Sequence, residues 1–178
     1  MPAMRRVLGV VALVVLLAGC GGGGERTFSA SEARFTFAYP RSFVDLGATL
    51  GAQIQGRPPA FSRTVGTDQV NFIVASRYVI RRPFESYSAA AFQQAVDAAV
   101  RAIANGTNAR IVSRGHTSMG GAKTYLYDLA SVDGARHSKL ALAFRGTDEY
   151  FLRCQWDASG AGTLPKACER AESSFKIV

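Results

Sequence analysis

RIVSRGHTSMGGAKTYLYDLASVDGARHSKLALAFRGTDEYFLRCQW, residues 110–156, holds four strand-like runs separated by three short turns. The runs cover residues 110–117, 123–131, 136–145 and 149–156, joined at Gly120-Gly121, Asp133-Gly134 and Gly146-Thr147-Asp148. Asp-Gly between two such runs is a strong hairpin signal, because tight hairpin turns need residues that tolerate positive φ. The block is therefore expected to be antiparallel. Within it Tyr125 and Tyr127 share one face and Leu126 takes the other, a spacing that suits core or cross-strand packing better than a ligand box.

Upstream, residues 34–38 (RFTFA) alternate Phe35 and Phe37 with smaller or polar neighbours and close on Tyr39-Pro40, which predicts the first strand. Residues 53–59 contain Gly and Pro and read as a loop. Residues 60–65 and 70–80 then form a hairpin around Gly66-Thr67-Asp68. Over residues 88–104, Phe92, Ala95, Val96, Ala99, Val100 and Ile103 fall on one stripe of a 3.6-residue helix. Ser86 or Ser88 can cap its start, and Asn105-Gly106 ends it. A second helix is predicted over residues 164–175 from the stripe Leu164, Cys168, Ala171, Phe175. Thr163 is its candidate N-cap, and Pro165 is tolerated in its first turn. The chain is expected to end on this helix or just beyond it.

The expected fold class is α+β, an antiparallel β-sheet flanked by helices in two or three layers. One domain, residues 32–178, accounts for these elements, with no internal repeat. The 178 residues are 48% hydrophobic and 19% charged, with a mean hydropathy of +0.06. Such a chain is neither a disordered polyelectrolyte nor a multi-span membrane protein. Three cysteines and two histidines are little material for a metal cage. No metal and no cofactor are expected.

Residues 1–19 read as an export signal. Arg5 and Arg6 precede VLGVVALVVLLA, residues 7–18, an apolar run of about 18 Å as a helix, short of the ~30 Å hydrocarbon core of a bilayer. The step Leu17-Ala18-Gly19-Cys20 resembles the lipobox of bacterial lipoproteins. That resemblance implies cleavage before Cys20, a diacylglycerol thioether on its sulfur, and usually acylation of the new amine. Two or three acyl chains anchor a domain where one would not. Residues 20–31, the lipidated cysteine and a Gly-rich polar stretch, are expected to be a tether that keeps the domain near the bilayer. Gly21 is not the aspartate associated with inner-membrane retention, so the expected location is extracytoplasmic, on the cell membrane or the outer membrane.

Charge is consistent with that address. Lys and Arg number 21 against 13 Asp and Glu, a net +8; without Arg5 and Arg6 the balance is 19 to 13, a net +6. The sign suits anionic lipid headgroups or acidic envelope polymers, but a solvated basic surface with no specific partner is the blander and favoured account. In an exported chain with Cys20 lipidated, Cys154 and Cys168 can pair. Closing that loop would contribute roughly 3 kcal/mol in the chain-entropy model and would staple the last helix to the last strand. A redox-active pair would want a closer Cys-x-x-Cys spacing.

FTFAYP followed by Arg41-Ser42-Phe43, the central helix, the strand after Gly120-Gly121, the strand with Tyr150 and Leu152, and the closing Ser173-Ser174-Phe175 together resemble the Mog1/PsbP-like family. Bacterial lipoproteins of the LpqN and LpqT kind are similar in layout. The resemblance implies an antiparallel sheet with flanking helices, used by relatives as a non-enzymatic accessory module that binds Ran or supports photosystem II. It brings no catalytic residue to carry over.

The enzyme-like stretch is residues 115–121, GHTSMGG. A nucleophile elbow needs Gly two residues before its Ser, and His116 stands there before Ser118. His116 and His137 have Asp128 and Asp133 as potential partners, but lack metal-ligand spacing. Asp148 and Glu149 are neighbours that a strand would point in opposite directions. Arg77, Arg81 and Arg82, with Arg57 and Arg63 nearby, form the densest basic group, interleaved with Tyr78, Phe84 and Tyr87. Basic and aromatic residues together can bind nucleic acid, but an extracytoplasmic address excludes that partner. Arg77, Arg81 and Arg82 are therefore a possible contact surface for an envelope protein or an anionic lipid or polymer. The bland alternative is an arginine-protected strand edge.

The expected function is a lipid-anchored, extracytoplasmic, non-enzymatic accessory or binding lipoprotein. The alternative is a carrier of a small ligand or lipid in a pocket between sheet and helix. A third possibility, a hydrolase, requires Ser118 within reach of His116 or His137.

Overall fold

The computed structural model describes residues 24–48 and 57–178. The strands begin with β1 (Glu25–Ala30), β2 (Phe35–Pro40), β3 (Val44–Gly47), β4 (Phe61–Gly66) and β5 (Phe72–Val79). Helix α1 (Ala89–Gly106) follows, then β6 (Ala109–Met119), β7 (Ala122–Ser131), β8 (Arg136–Arg145) and β9 (Asp148–Asp157). Helix α2 (Leu164–Ser174) and β10 (Lys176–Ile177) close the chain. Seven strands form one sheet in the order β3-β4-β5-β9-β8-β7-β6, and β1-β2-β10 form a second. The pairings are antiparallel.

Two-residue alternation divides the larger sheet between two cores. Tyr150, Leu152 and Cys154 of β9 join Ile73, Ala75, Ala141 and Ala143 on one face, under α2 and the small sheet. Phe151 joins Tyr125, Tyr127, Leu129, Leu140, Leu142 and Phe144 on the other, under α1. The result is an α+β fold in three layers: small sheet with α2, large sheet, α1. Gly120 and Gly121 link β6 to β7 at φ +61° and +78°, where a side chain would be strained. Between β4 and β5, Asp68 Oδ1 accepts the backbone N–H groups of Val70 and Asn71 at 2.7 and 2.8 Å.

The expected tether through Ser31 is corrected by β1. Glu25–Ala30 pairs residue for residue with Phe35–Pro40, and the Phe28 ring lies 5.4 to 5.8 Å from the rings of Phe35, Phe37 and Phe61. An open edge on β2 and one aromatic anchor outweigh the polar composition of ERTFSA. The folded part therefore starts by residue 25, with Arg170 gripping Glu25 from α2 at 2.7 and 2.8 Å.

At the other end the chain runs past α2 into β10, whose residues pair with Phe35 and Thr36. Thr163 is in a helical conformation and its hydroxyl caps nothing; Gly160 O accepts the N–H groups of Thr163 and Leu164 instead. Ser88 does cap α1, accepting from Ala91 N at 3.2 Å. The proposed export signal, Cys20 and residues 53–56 of the expected loop lie outside the described residues.

Candidate functional site

Helix α1 buries Phe92, Val96, Val100 and Ala104 on one face, but it is narrower than the sheet it covers. Beside its N-terminal half, where the chain leaves β5 and turns through Phe84–Ser86, a cavity of about 320 Å³ remains open to solvent. Phe92, Val96, Leu142 and Phe144 form its apolar walls, and Arg57, Arg81, Tyr87 and Glu149 its polar rim. Phe84 and Phe144 each meet Phe92 edge-on at 4.6 and 4.6 Å, so those walls are fixed by aromatic packing.

Glu149 gives the rim its chemistry. It is buried, and its partner is Arg57, with Nη2 to Oε2 at 3.5 Å. Burial pushes the Glu149 carboxyl above its ordinary pKa, and Arg57 partly opposes this. An apolar slot ending in a carboxylate and two guanidinium groups suits an amphiphile: a hydrocarbon or aromatic body with a polar head.

The sheet separates the basic group that the sequence places together. Arg81 and Arg82 are exposed, and Arg81 lines the cavity. Arg77 points to the opposite face of β5. There it donates to Asp148 Oδ1 at 2.9 Å and to the Glu32 carbonyl at 3.2 Å. Arg77 is thus not part of a contact surface with Arg81 and Arg82; it is an internal bridge to the turn after β1. Arg63 is ion-paired with Asp45. Tyr78 is buried under α1, and Phe84 and Tyr87 pack on Phe92.

The enzyme-like residues are likewise dispersed. His116 Nε2 lies 3.0 Å from Gln93 Oε1, and His137 stacks on Trp156 with ring centroids 6.0 Å apart. Ser118 lines a cleft beside α2 with Glu169, Glu172 and Ser173. Asp128 accepts from Ser113, and Asp133 from Ser131 and the Ala135 N–H. Asp148 and Glu149 point to opposite faces, as alternation requires, Asp148 to Arg77 and Arg34 and Glu149 to Arg57. No three of His, Cys, Asp and Glu meet as a metal cage among the described residues.

A polar cluster that the sequence reading missed joins α1 to the sheet. Tyr127 Oη donates to Asp97 Oδ1 at 2.6 Å, and Gln93 Nε2 donates to both groups at 3.1 Å. The Tyr127 hydrogen bond is the main cause holding the Asp97 carboxyl below its ordinary pKa. Burial, then the bond to Asp97, pushes the Tyr127 phenol up. Gln93 and Asp97 at i, i+4 were the available signal, but the tyrosine they meet is thirty positions away.

Cys154 of β9 and Cys168 of α2 form a disulfide, with Cα atoms 5.9 Å apart. Both sit in the core under the small sheet.

No family model matches the sequence, and no curated protein matches it. Among solved structures, the chain is similar to cyanobacterial PsbP (CyanoP) from Synechocystis sp. PCC 6803. The likeness covers 91% of this chain and 99% of that one, at 15% identity and a TM-score of 0.60. A protein from Bacteroides thetaiotaomicron VPI-5482 is similar over 85% of this chain and 48% of its own, at 13% identity and a TM-score of 0.52. LpqN of Mycobacterium tuberculosis, described as involved in cell envelope biogenesis, matches over 90% and 87% at 9% identity and a TM-score of 0.49. The likeness to CyanoP shows a PsbP-like fold, and at that identity it shows the fold alone.

Proposed function

We propose that this chain is an extracytoplasmic accessory domain that acts by binding rather than catalysis and is held at a membrane by lipid on Cys20. The observation that carries this reading is the cysteine pairing. Cys154 and Cys168 are bonded to each other in the core, which suits an oxidising compartment. The third cysteine, Cys20, follows an apolar run and the sequence Leu-Ala-Gly. Arg81, at the rim of the α1 cavity, and its exposed neighbour Arg82 are the basic surface offered to an envelope protein or an anionic envelope component. The test is membrane fractionation of native protein beside a Cys20→Ala variant, with mass analysis of the mature N-terminus. Loss of the variant from membranes, and a diacylglycerol adduct on Cys20, are expected. An unmodified thiol with residues 1–19 still attached would overturn the reading.

The cavity beside α1 favours a second reading, a carrier of a small amphiphile. Its apolar walls and charged rim suit such a ligand, and Ala99 on α1 lines it. Binding of a fluorescent fatty-acid analogue by the full chain, lost in Ala99→Trp while the fold is retained, is the result expected. Equal binding by both proteins would remove this reading.

A further inference from the structure

At the opposite end of α1 lies a second cavity, of about 430 Å³, between the last helical turn and strands β7, β8 and β9. Asn108, Ser131, Arg136, Ser138, Arg153 and Gln155 line it, and no carboxylate does. Two guanidinium groups from adjacent strands enter one polar space.

Arg153 is 8% exposed. Its Nη2 donates to Gln155 Oε1 at 2.6 Å, and its guanidinium carbon stands 5.9 Å over the Phe72 ring centroid. Its Nε–H is buried with no acceptor. Neither Arg153 nor Arg136 takes part in any ion pair described for the chain.

A buried guanidinium without a counter-charge is costly, so the nearby acceptors matter. At the end of α1 the carbonyls of Ile103 and Ala104 already accept from the Thr107 N–H and hydroxyl, and that of Asn105 from the Asn108 N–H. Of the acids near Arg136, Asp133 is engaged by Ser131 and the Ala135 N–H at 2.5 and 3.0 Å, and Asp157, opposite Arg136 across the β8–β9 pair, by the Ser159 N–H and hydroxyl at 2.9 and 2.7 Å. Burial, with Arg136 beside it, holds Arg153 below the ordinary arginine pKa.

We infer that this cavity is an oxyanion site in which the Arg153 and Arg136 guanidinium groups clamp a phosphate group. Two guanidinium charges match a phosphate better than a single carboxylate, and charge-assisted bonds to arginine are the strong, directional kind. The Ser138 hydroxyl lies on the same wall. The space exceeds a bare phosphate, leaving room for the organic part of a phosphate ester or a lipid headgroup. The site is independent of the apolar cavity and of the anchor at Cys20.

The test is titration of the full chain in detergent with inorganic phosphate at constant ionic strength, followed by the NMR signal of the Arg153 Nε–H. A saturable shift is expected, with a rise in melting temperature. Arg136→Gln, on an exposed side chain, should weaken binding by about tenfold. Arg153→Met, which removes the buried charge and keeps its bulk, should abolish the response while circular dichroism shows the fold intact. Sodium chloride moving the signal as far as phosphate, or Arg136→Gln titrating like the parent, would overturn the inference. A second arm separates the sources. Retention of the Cys20→Ala chain on phosphatidylglycerol vesicles but not phosphatidylcholine vesicles, competed by phosphate and lost in Arg136→Gln, identifies a lipid headgroup. The phosphate response without vesicle retention identifies a free phosphate compound.

Discussion

Arg77 on β5 and Asp148 at the start of β9 are bonded through Nη1 and Oδ1 at 2.9 Å, with Arg34 closing on the other carboxylate oxygen at 3.1 Å. This pair ties the turn after β1 to the centre of the large sheet. The side chains of Arg77 and Asp148 are 14% and 11% exposed, that of Arg34 57%. Removing the carboxylate by Asp148→Ala should cost about 2–3 kcal/mol, below the range for a fully buried pair because Arg77 keeps the Glu32 carbonyl. Arg34→Ala should cost less than about 1 kcal/mol. Urea unfolding of the two variants reads both values; equal losses would mean that the bridge is a surface pair.

Reducing the Cys154–Cys168 disulfide opens a loop of 14 residues in sequence separation. Cys154→Ala with Cys168→Ala should lower the unfolding free energy by roughly 3 kcal/mol. Thermal melts with and without dithiothreitol check this. The reductant should shift the parent and leave the double variant unmoved.

Tyr127→Phe removes the donor that chiefly depresses the Asp97 carboxyl. The expected loss at neutral pH is about 1–2 kcal/mol, as for a hydrogen bond to a charged group. A depressed carboxyl stabilises the fold above its unfolded value of 3.8 and loses that contribution as pH falls through the folded value. The gap between Tyr127→Phe and parent should therefore narrow in acid, measurable by denaturant titration from pH 7 to pH 2. A constant gap would show that the bond does not couple to Asp97.

Glu149 behaves in the opposite sense. Its folded pKa lies above its unfolded value of 4.5, so its contribution is full below that value and is lost as pH rises through the folded one. Glu149→Gln should match the parent in acid and equal or exceed it at neutral pH by the order of 1 kcal/mol, because Arg57 is exposed enough to stay solvated. A variant less stable than the parent at pH 7 would show that the Arg57 bond outweighs burial.

The legible parts of the fold are those where periodicity is long. Strands β7 to β9 and helix α1 declare themselves because ten or more residues repeat one rule. β1 has six residues with half-buried positions only at Phe28 and Ala30, and β10 has two residues, too few to show a period. The candidate site was half visible. Phe92, Val96 and Ala99 mark the helix stripe, but the cavity exists because α1 leaves part of the sheet uncovered, and no spacing along the chain encodes a gap between elements.

Chemistry local to the chain decided the alternation, the helix cap at Ser88, the turns at paired glycines, and the apolar run before Cys20. Each depends on residues within a few positions of one another, so covalent order is enough. Tertiary structure alone decided that Arg77 meets Asp148 instead of joining Arg81 and Arg82. It alone left Arg153 buried opposite no acid, and turned ERTFSA into a strand. In those cases the deciding partner is distant in sequence, and its arrival depends on how two layers stack, a quantity that side-chain pattern constrains by face but not by position.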